Sequence, residues 1–386
     1  MIRDLFLLDP QVVYLNHGSF GACPRPVFEQ YQAWQKQLEQ EPVQFLGVDL
    51  DKYLFRSRQV LGDYVNASAQ DLVYITNATH GVNLIARSLH LNPGDEILST
   101  DQEYGACTFI WEFICSKTGA VFVQHPIPMP IESSEEILDQ FWKGVTPKTK
   151  VIFLSHLTSP TSLIMPVEQI CRRAHDNGIL TIIDGAHAPG QVLLNLPEIM
   201  ADFYVGNCHK WMLSPKGAGF LYARPERQNL IEPLIVSWGY QSRLNPPLET
   251  TFIDYLQWTG TRDPAAALSV PAAIDFMEKY QWDLVRDSCH QILKEAIERI
   301  CDFTGLEPLY PFESNVYRQM GTIPLPKIKD LTALKARLYN DYKIEIPYID
   351  WRNSHFIRLS IQGYNNTEDI EKLVQALKIL LPTLKA

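Results

Sequence analysis

The pattern of hydrophobic and polar positions predicts that most of the chain alternates between strands and helices. Residues 26–40 and 53–65 carry apolar side chains at helical spacing, and a proline near the first turn marks the start of the first helix. From residue 72 onward short apolar runs follow one another, mostly separated by helix-compatible stretches: LVYIT, DEILST, AVFVQH, KVIFLSH, ILTIID, DFYVG and GFLYAR. This alternation predicts an α/β fold with a mainly parallel, doubly wound sheet and helices on both faces. The last two runs lie too close for a helical crossover, so we expect them to pair in antiparallel fashion.

The rhythm changes after the segment QWTGTRDP. Helical spacing predicts helices over residues 265–279 and 282–300, followed by sparse strands and a last helix near 368–381. This change indicates a second, smaller α+β domain at the C-terminal end of the chain.

Composition narrows the class of protein. The chain has 386 residues, of which 46% are hydrophobic, which is enough for a sizeable core. Its 44 acidic residues outnumber its 34 Lys and Arg residues, and no basic block stands out, so we expect no nucleic acid partner. We find no signal peptide, no segment long enough to span a bilayer and no metal-binding spacing among the seven cysteines. These features predict a soluble, cytoplasmic protein with no membrane partner.

Polar residues directly follow several of the predicted strands. Asp184 and His187 follow the run ILTII, and Lys210 follows FYVG after three intervening residues. Ser159 comes after VIFL, and the residues after LVYIT, which open a helix, include Ala78, Thr79 and His80. Ligands of an open parallel sheet bind beyond the carboxyl ends of its strands, so one crevice could gather all of these residues.

An acid, a lysine and a helix N-terminus in one crevice match the needs of pyridoxal 5′-phosphate. This cofactor requires an amine that binds its aldehyde, a carboxylate that keeps its ring nitrogen protonated, and a cradle for its phosphate. Lys210 would be the amine and Asp184 the partner of the ring nitrogen. Backbone N–H groups and the hydroxyl at Ala78, Thr79 and His80, at the positive end of a helix dipole, would hold the phosphate.

Longer motifs resemble the class V aminotransferase family of pyridoxal-phosphate enzymes. DGAHAPG, followed later by HKW and a Pro-x-Gly-x-Gly turn, is the first of them. YLNHGSFGACPRPV, GNCHKWMLSPKGAGFLYAR and GTRDPAAALSVPAA look most like the isopenicillin N epimerases of that family. The resemblance runs from about Tyr14 to the C-terminus and implies the fold of type I pyridoxal-phosphate transferases. It implies a large cofactor-binding domain over residues 21–258, a small domain over 259–386, and an N-terminal segment, 1–20, that packs near the small domain.

The resemblance also implies roles for single residues around the cofactor. Lys210 would be the catalytic residue that binds the cofactor covalently, and Asp184 would contact the ring nitrogen. His187 would bond the ring hydroxyl oxygen, with Ser159 as a second contact. Tyr104 falls where relatives stack an aromatic residue on the ring.

Further roles concern the phosphate and the substrate. Asn207 and His209 flank the lysine where relatives have residues near the phosphate. Thr261 matches a residue that reaches the phosphate from the neighbouring subunit, which implies a homodimer with shared active sites. Arg358 matches the arginine that binds the substrate carboxylate through two parallel hydrogen bonds. The residues expected near the substrate mouth are Asn16 and His17.

The reaction stays open among several kinds of chemistry at the α-carbon. The resemblance favours an epimerase acting on an amino acid or a peptide-like amino acid, while an aminotransferase or a carbon–sulfur lyase fits the same residues. A persulfide-forming cysteine desulfurase is disfavoured because it needs a nucleophilic cysteine before the carboxylate-binding arginine, and EIPYIDWRNSHFIRLS contains none.

Two other classes of protein compete with a pyridoxal-phosphate enzyme. Asp184, His187 and His209 are residue types that bind metals, but a metal site explains neither Lys210 nor the helix N-terminus. A binding module that kept the cofactor without turnover would be expected to have lost Lys210 or Arg358, and the chain has both.

Overall fold

Strands and helices alternate along the chain as the hydrophobic pattern predicts. The computed structural model describes residues 2–240 and 250–384. Its strands are β1 (Val13–Tyr14), β2 (Leu72–Ile75), β3 (Glu96–Thr100), β4 (Val121–His125), β5 (Thr149–Ser155), β6 (Leu180–Gly185), β7 (Phe203–Asn207), β8 (Gly219–Ala223), β9 (Met320–Leu325), β10 (Ile344–Glu345), β11 (Tyr348–Trp351) and β12 (Ser354–Ser360). Its helices are α1 (His17–Phe20), α2 (Arg25–Gln40), α3 (Pro42–Gln44), α4 (Leu50–Val65), α5 (Ala78–Ser88), α6 (Gly105–Thr118), α7 (Ser134–Trp142), α8 (Val167–Asp176), α9 (Leu196–Ile199), α10 (Thr251–Gln257), α11 (Ala265–Leu268), α12 (Val270–Lys279), α13 (Trp282–Thr304), α14 (Leu331–Tyr342) and α15 (Thr367–Leu384).

The main sheet has the strand order β2–β8–β7–β6–β5–β3–β4. Strands β3, β4, β5, β6 and β7 pair in parallel, while β8 is antiparallel to both of its neighbours, β7 and β2. The expected antiparallel pairing of the two closely spaced runs is therefore confirmed. The parallel strands all end at one edge of the sheet, which is where the candidate residues follow them.

Both faces of this sheet are covered by helices, as a doubly wound fold requires. One face packs on a cluster that includes residues of α4, α8 and α12, and its strand residues are Leu72, Tyr74, Leu98, Ile152, Leu154, Ile183, Tyr204, Phe220 and Tyr222. The other face packs against α5, α6 and α10 through Val73, Ile75, Val151, Phe153, Ile182, Phe203, Val205 and Leu221. Because successive strand residues point to opposite faces, the near-continuous apolar runs of the sequence bury both sides of the sheet.

The C-terminal part of the chain contains a separate antiparallel sheet with the order β11–β12–β9. Helix α13 packs against its strand β9, α15 packs against α13, and α14 packs against α15. The chain start joins this region, because β1 pairs in parallel with β10 and Asn16 bridges to Ser360.

One expected helix is divided. Residues 265–279 form α11 and α12, with a break at Ser269, and a proline lies in the first turn of α12. Proline lacks a backbone N–H and is tolerated at a helix start but not in its interior, so Pro271 favours a new helix there. Across the described residues, no helix is both long and apolar enough to cross a membrane.

Candidate active site

A cavity of about 210 Å³ lies at the carboxyl edge of the main sheet. Residues that follow β2, β3, β5, β6 and β7 form most of its wall, together with part of α1. The lining residues are Ser19, Phe20, Asn77, Ala78, Thr79, Tyr104, Ser155, Leu157, Ser159, Asp184, Ala186, His187, Asn207, His209 and Lys210. The parallel register, which pairs Ser155 with Asp184 and Asp184 with Val205, aligns the strand ends. The structure thus brings into one cavity most of the residues that the sequence singled out.

Lys210 is half-buried in the wall of this cavity. Its Nζ lies 3.2 Å from His187 Nε2. Burial, followed by the nearby Arg358 charge, lowers the pKa of Lys210 to about 8, although Asp184 acts in the opposite direction. An amine with a pKa near neutrality is available as a nucleophile and as a base at physiological pH.

Asp184 is buried at the end of β6, where protein groups satisfy both of its oxygens. Its Oδ1 accepts a hydrogen bond from the Ala186 N–H at 2.9 Å, and its Oδ2 lies 3.4 Å from Cys107 Sγ. Burial raises the pKa of this carboxyl, while the Ala186 hydrogen bond and the charge of Lys210 oppose the shift. A buried carboxylate of this kind is stabilised by a cation placed beside it.

The first turn of α5 differs in detail from the expected phosphate cradle. The Ala78 N–H donates to Asn207 Oδ1 at 2.8 Å, and the His80 N–H donates to the helix-capping Asn77 Oδ1 at 2.9 Å. Both N–H groups thus already have side-chain amide partners, and the expectation that they hold a phosphate stays a prediction. The His80 ring also lies elsewhere, 3.1 Å from Thr76 Oγ1, which leaves Thr79 as the member of the trio best placed to meet a phosphate.

Three more expected contacts line the cavity. Tyr104 caps α6 and is 50% exposed, so its ring is accessible from the cavity. Ser159 accepts hydrogen bonds from Arg358 Nη1 through both its Oγ (3.0 Å) and its carbonyl (2.8 Å). His209 Nδ1 bonds the Ala218 carbonyl at 3.0 Å, and burial lowers the pKa of His209 to about 4.

Arg358 is buried on β12 behind two residues of the cavity wall. Besides its bonds to Ser159, its Nη2 donates to Ser19 Oγ at 3.3 Å, and its Nε has no partner among the described protein atoms. Burial lowers the pKa of Arg358 to about 10, which leaves it charged at neutral pH. A guanidinium has five N–H donors, so these bonds leave some for a substrate carboxylate.

Asn16 and His17 do not line the cavity, and their expected place near the substrate mouth stays a prediction. Asn16 accepts from Ser19 Oγ at 2.6 Å and donates to Glu345 at 3.0 Å. His17 is fully buried behind Lys210, with Nδ1 3.0 Å from the Tyr364 hydroxyl and Nε2 3.1 Å from the Lys210 carbonyl. Gly21, with φ of +70°, lies directly against the His209 backbone, so that a Cβ at this position would lie 2.1 Å from the His209 carbonyl oxygen. This packing turns both residues towards the protein interior.

Thr261 is exposed and does not line the cavity of its own chain. It lies instead in an open groove of about 430 Å³ with Val43, Leu46, Trp238 and Trp258. The expected contact of Thr261 with a phosphate would thus require a second subunit.

Sequence reasoning missed several residues of the site. Ser19 and Phe20 line the cavity, and Glu103 accepts hydrogen bonds from both the N–H and the hydroxyl of Ser155. Burial raises the pKa of Glu103 to about 7. Glu103 stands beside Tyr104 after a predicted strand, so the strand-end rule could have found it. Ser19 lies within the motif YLNHGSFGACPRPV, but its place in the cavity wall depends on the docking of the chain start.

The residues in place fit pyridoxal 5′-phosphate. Lys210 supplies an amine of lowered pKa, Asp184 supplies a buried carboxylate, and the first turn of α5 supplies a helix N-terminus in the same cavity. Within residues 2–240 and 250–384, no group of three or more His, Cys, Asp or Glu residues is arranged to hold a metal ion.

Comparisons with known proteins extend this picture. The family model described as aminotransferase class-V matches residues 13–373. The chain is 34% identical over 388 residues to an isopenicillin N epimerase of Amycolatopsis lactamdurans, covering 98% of this chain and 97% of that protein. It is also 28% identical to a putative L-cysteine desulfhydrase of Oryza sativa subsp. japonica, over 96% of this chain and 83% of that protein.

A solved structure shares the fold at much lower sequence identity. It is the apo structure of a cysteine desulfurase from Thermococcus onnurineus NA1, which superimposes with a TM-score of 0.80 at 19% identity, over 99% of this chain and 98% of that chain.

Proposed function

The chain belongs to the aminotransferase class-V family of pyridoxal-phosphate enzymes, and we propose that it moves the α-proton of an amino acid or a peptide-like amino acid, as an isopenicillin N epimerase does. The observation that carries this proposal is the half-buried Lys210 amine of lowered pKa beside His187 and Asp184. The 34% identity to an isopenicillin N epimerase over nearly the whole chain supports the choice of epimerisation.

The chemistry that pyridoxal 5′-phosphate supplies when bound is an electron sink for the α-carbon of an amino substrate. Asp184 would hold the proton of the ring nitrogen, and Thr79 with the N-terminus of α5 would bind the phosphate. Tyr104 would pack on the ring, and Asn207 and His209 would complete the pocket beside the lysine.

Lys210 would act as the general base on the α-proton. With a pKa of about 8, an appreciable fraction of its amines is neutral at pH 7 to 8 and able to accept a proton. Arg358 would bind the substrate carboxylate and so fix which bond at the α-carbon faces Lys210. Ser19 and Ser159 would hold the guanidinium in place.

A carbon–sulfur lyase is the second candidate. The 28% identity to a putative L-cysteine desulfhydrase favours it. The hairpin of β11 and β12, which contains Arg358, has no cysteine, and this argues against a persulfide-forming desulfurase. An aminotransferase remains a further candidate, because the same base and the same carboxylate site serve that reaction.

One set of incubations separates these reactions. The holoenzyme is mixed in deuterated water with isopenicillin N, with free L-amino acids and with L-cysteine, and the α-proton signal is followed by NMR. We expect loss of that signal with inversion of configuration and no net keto acid, and we expect Lys210→Ala to be inactive. Keto acid formation would identify an aminotransferase instead, and sulfide release from cysteine would identify a lyase.

The proposal includes a homodimer with shared sites. In this arrangement residues 21–258 form the cofactor-binding domain, residues 259–386 the small domain, and residues 1–20 dock on the latter through the β1–β10 pairing. The exposed Thr261 and the apolar side chains around it, with Val43 84% and Trp238 69% exposed, support contact with a second copy.

Subunit mixing tests the shared site. Lys210→Ala and Thr261→Glu chains should each be inactive as homodimers, the second because a carboxylate would repel the phosphate. A mixed dimer combines the intact Lys210 of one chain with the intact Thr261 of the other, so mixing should restore activity. Full activity of Thr261→Glu alone, or a monomeric protein in sedimentation, would contradict the proposal.

A further inference from the structure

His187 is held between two consecutive residues, Lys210 and Trp211. Lys210 Nζ lies 3.2 Å from His187 Nε2, and Trp211 Nε1 lies 3.3 Å from His187 Nδ1. Trp211 is fully buried, and His187 is 5% exposed. The two nitrogens of the ring therefore have different surroundings: one meets an indole inside the protein, and the other meets the amine in the cavity wall.

The chemistry of the indole decides which ring nitrogen carries the proton. An indole N–H donates hydrogen bonds and accepts none, so His187 Nδ1 must be the acceptor in this contact. The pKa of His187 lies well below its ordinary value, first because of burial and then because of the Lys210 and Arg358 charges. The ring is therefore neutral at pH 7, and a neutral ring that accepts at Nδ1 has its hydrogen on Nε2.

We propose that Trp211 is a positioning residue that fixes the His187 proton on Nε2, so that His187 presents a hydrogen-bond donor to the cavity. A free amine of Lys210 can accept from this donor, whereas an ammonium cannot, because it has no lone pair. The fixed donor therefore favours the neutral form of Lys210. Under the proposed function, on which this step rests, the same donor would bond the ring hydroxyl oxygen of the cofactor.

Packing keeps the indole in place. The His17 ring lies 4.8 Å from the Trp211 ring, centroid to centroid. Gly190, with φ of +92°, packs so tightly that a Cβ there would lie 2.3 Å from the Trp211 carbonyl group. On the other side, Gln191 Nε2 donates to the His187 carbonyl at 2.8 Å. Neither ring can turn away without disturbing these contacts, so the donor direction is built into the fold.

Other buried tryptophans provide a contrast. The indole nitrogens of Trp111 and Trp282 have no hydrogen-bond partner within the described ranges. Burial of a tryptophan in this protein therefore does not by itself require a partner, and Trp211 differs by its contact with a residue of the cavity. Trp282, at the start of α13, serves as a matched control because Trp282→Phe removes a buried indole N–H far along the chain from His187.

The first test reads the proton directly and needs neither cofactor nor substrate. Apoprotein labelled with ¹⁵N-histidine is examined by NMR at pH 7.5, with His187→Gln used to assign the His187 signals. We expect a protonated Nε2 and an unprotonated Nδ1 in the wild type, and a mixture of both tautomers in Trp211→Phe. A wild-type His187 protonated at Nδ1 would overturn the proposal.

The second test measures cofactor binding in a double-mutant cycle. Trp211→Phe should weaken binding of pyridoxal 5′-phosphate about 3- to 10-fold, the effect of one hydrogen bond. In a His187→Gln background the same substitution should have no further effect, and Trp282→Phe should have none in either background. An equal loss in both backgrounds would mean that Trp211 acts through packing alone, which overturns the proposal. Failure of the wild type to bind the cofactor would instead reject the proposed function and leave the tautomer result standing.

Discussion

The two walls of the cavity are built in different ways. One wall consists of residues at the ends of adjacent parallel strands, among them Asp184, His187 and Lys210. The other consists of Ser19 and Phe20 from the chain start, with Arg358 of β12 bonded behind Ser19. The first wall, which we call the sheet wall, is assembled by the register of one sheet. The second, the docked wall, is assembled by the docking of segments that are distant in sequence.

The two walls also differ in the kind of residue that they contribute. The sheet wall contains the amine, the carboxylate and the imidazole, whose pKa values are shifted by burial beside one another. The docked wall carries a hydrogen-bonded chain from Arg358 through Ser19 and Asn16 to Glu345. Substitutions in the sheet wall should therefore abolish the reaction, whereas those in the docked wall should change affinity or stability.

Lys210→Ala tests the sheet wall and should have the largest effect. Under the proposed function the substitution removes both the covalent attachment of the cofactor and the base, so we expect turnover to fall about 10³-fold or more and the visible absorbance band of the lysine-bound cofactor to vanish. Spectra and activity of the purified protein measure both. A retained band in a correctly folded variant would show that another residue holds the cofactor.

Arg358→Ala tests the docked wall at its deepest residue. Removal of a buried charged partner should lower kcat/KM about 30-fold or more, mainly by raising KM, while the cofactor band persists. Arg358→Lys keeps the charge but loses the two-pronged geometry and should recover part of the loss. A loss in kcat alone would instead mean that Arg358 acts in the reaction step, like the residues of the sheet wall, and not in substrate binding.

His17→Phe should cost stability rather than chemistry. It removes the buried bonds to the Tyr364 hydroxyl and the Lys210 carbonyl, and we expect a loss of about 1–3 kcal/mol in free energy of unfolding, measured by urea denaturation. Burial lowers the pKa of His17 from its ordinary value to about 3. Between that value and about 6.5 the unfolded chain binds a proton that the native state does not, so wild-type stability falls as pH is lowered through this range.

The same substitution gives a second observable. The His17 share of this acid sensitivity should be absent from His17→Phe, so the difference in stability between the two proteins should shrink from pH 7 to pH 4. A difference that stays constant would mean that His17 binds a proton equally well in the native and the unfolded state.

Arg352→Ala should have the smallest effect. Arg352 pairs with Asp101 through both carboxylate oxygens at 2.7 and 2.9 Å, joining the β11–β12 hairpin to the loop before Tyr104. Partly exposed pairs contribute about 0–1 kcal/mol, so we expect less than about a 5-fold change in kcat/KM, with Asp101→Asn behaving alike. A larger change in KM would give the hairpin a direct role in substrate binding.

Local patterns predicted the fold and the sheet wall well. Buried strands with apolar side chains on both faces stand out as short runs, and the residues after them meet at one edge because parallel strands end together. The positions of Asp184 and Lys210 after such runs are enough to predict that both lie at this edge. Even the antiparallel position of β8 followed from the short connection before it.

Tertiary structure alone decided which side chains contact one another in the finished site. Nothing local indicates that Arg358 bonds Ser19, that His17 lies behind Lys210, or that the Trp211 indole meets His187. These hydrogen bonds join residues far apart along the chain, and they form only where packing of the whole molecule brings a donor and an acceptor within about 3 Å. Sequence periodicity predicts the secondary structure of a segment and which of its side chains are buried. Which residue a buried side chain contacts depends on how the elements dock.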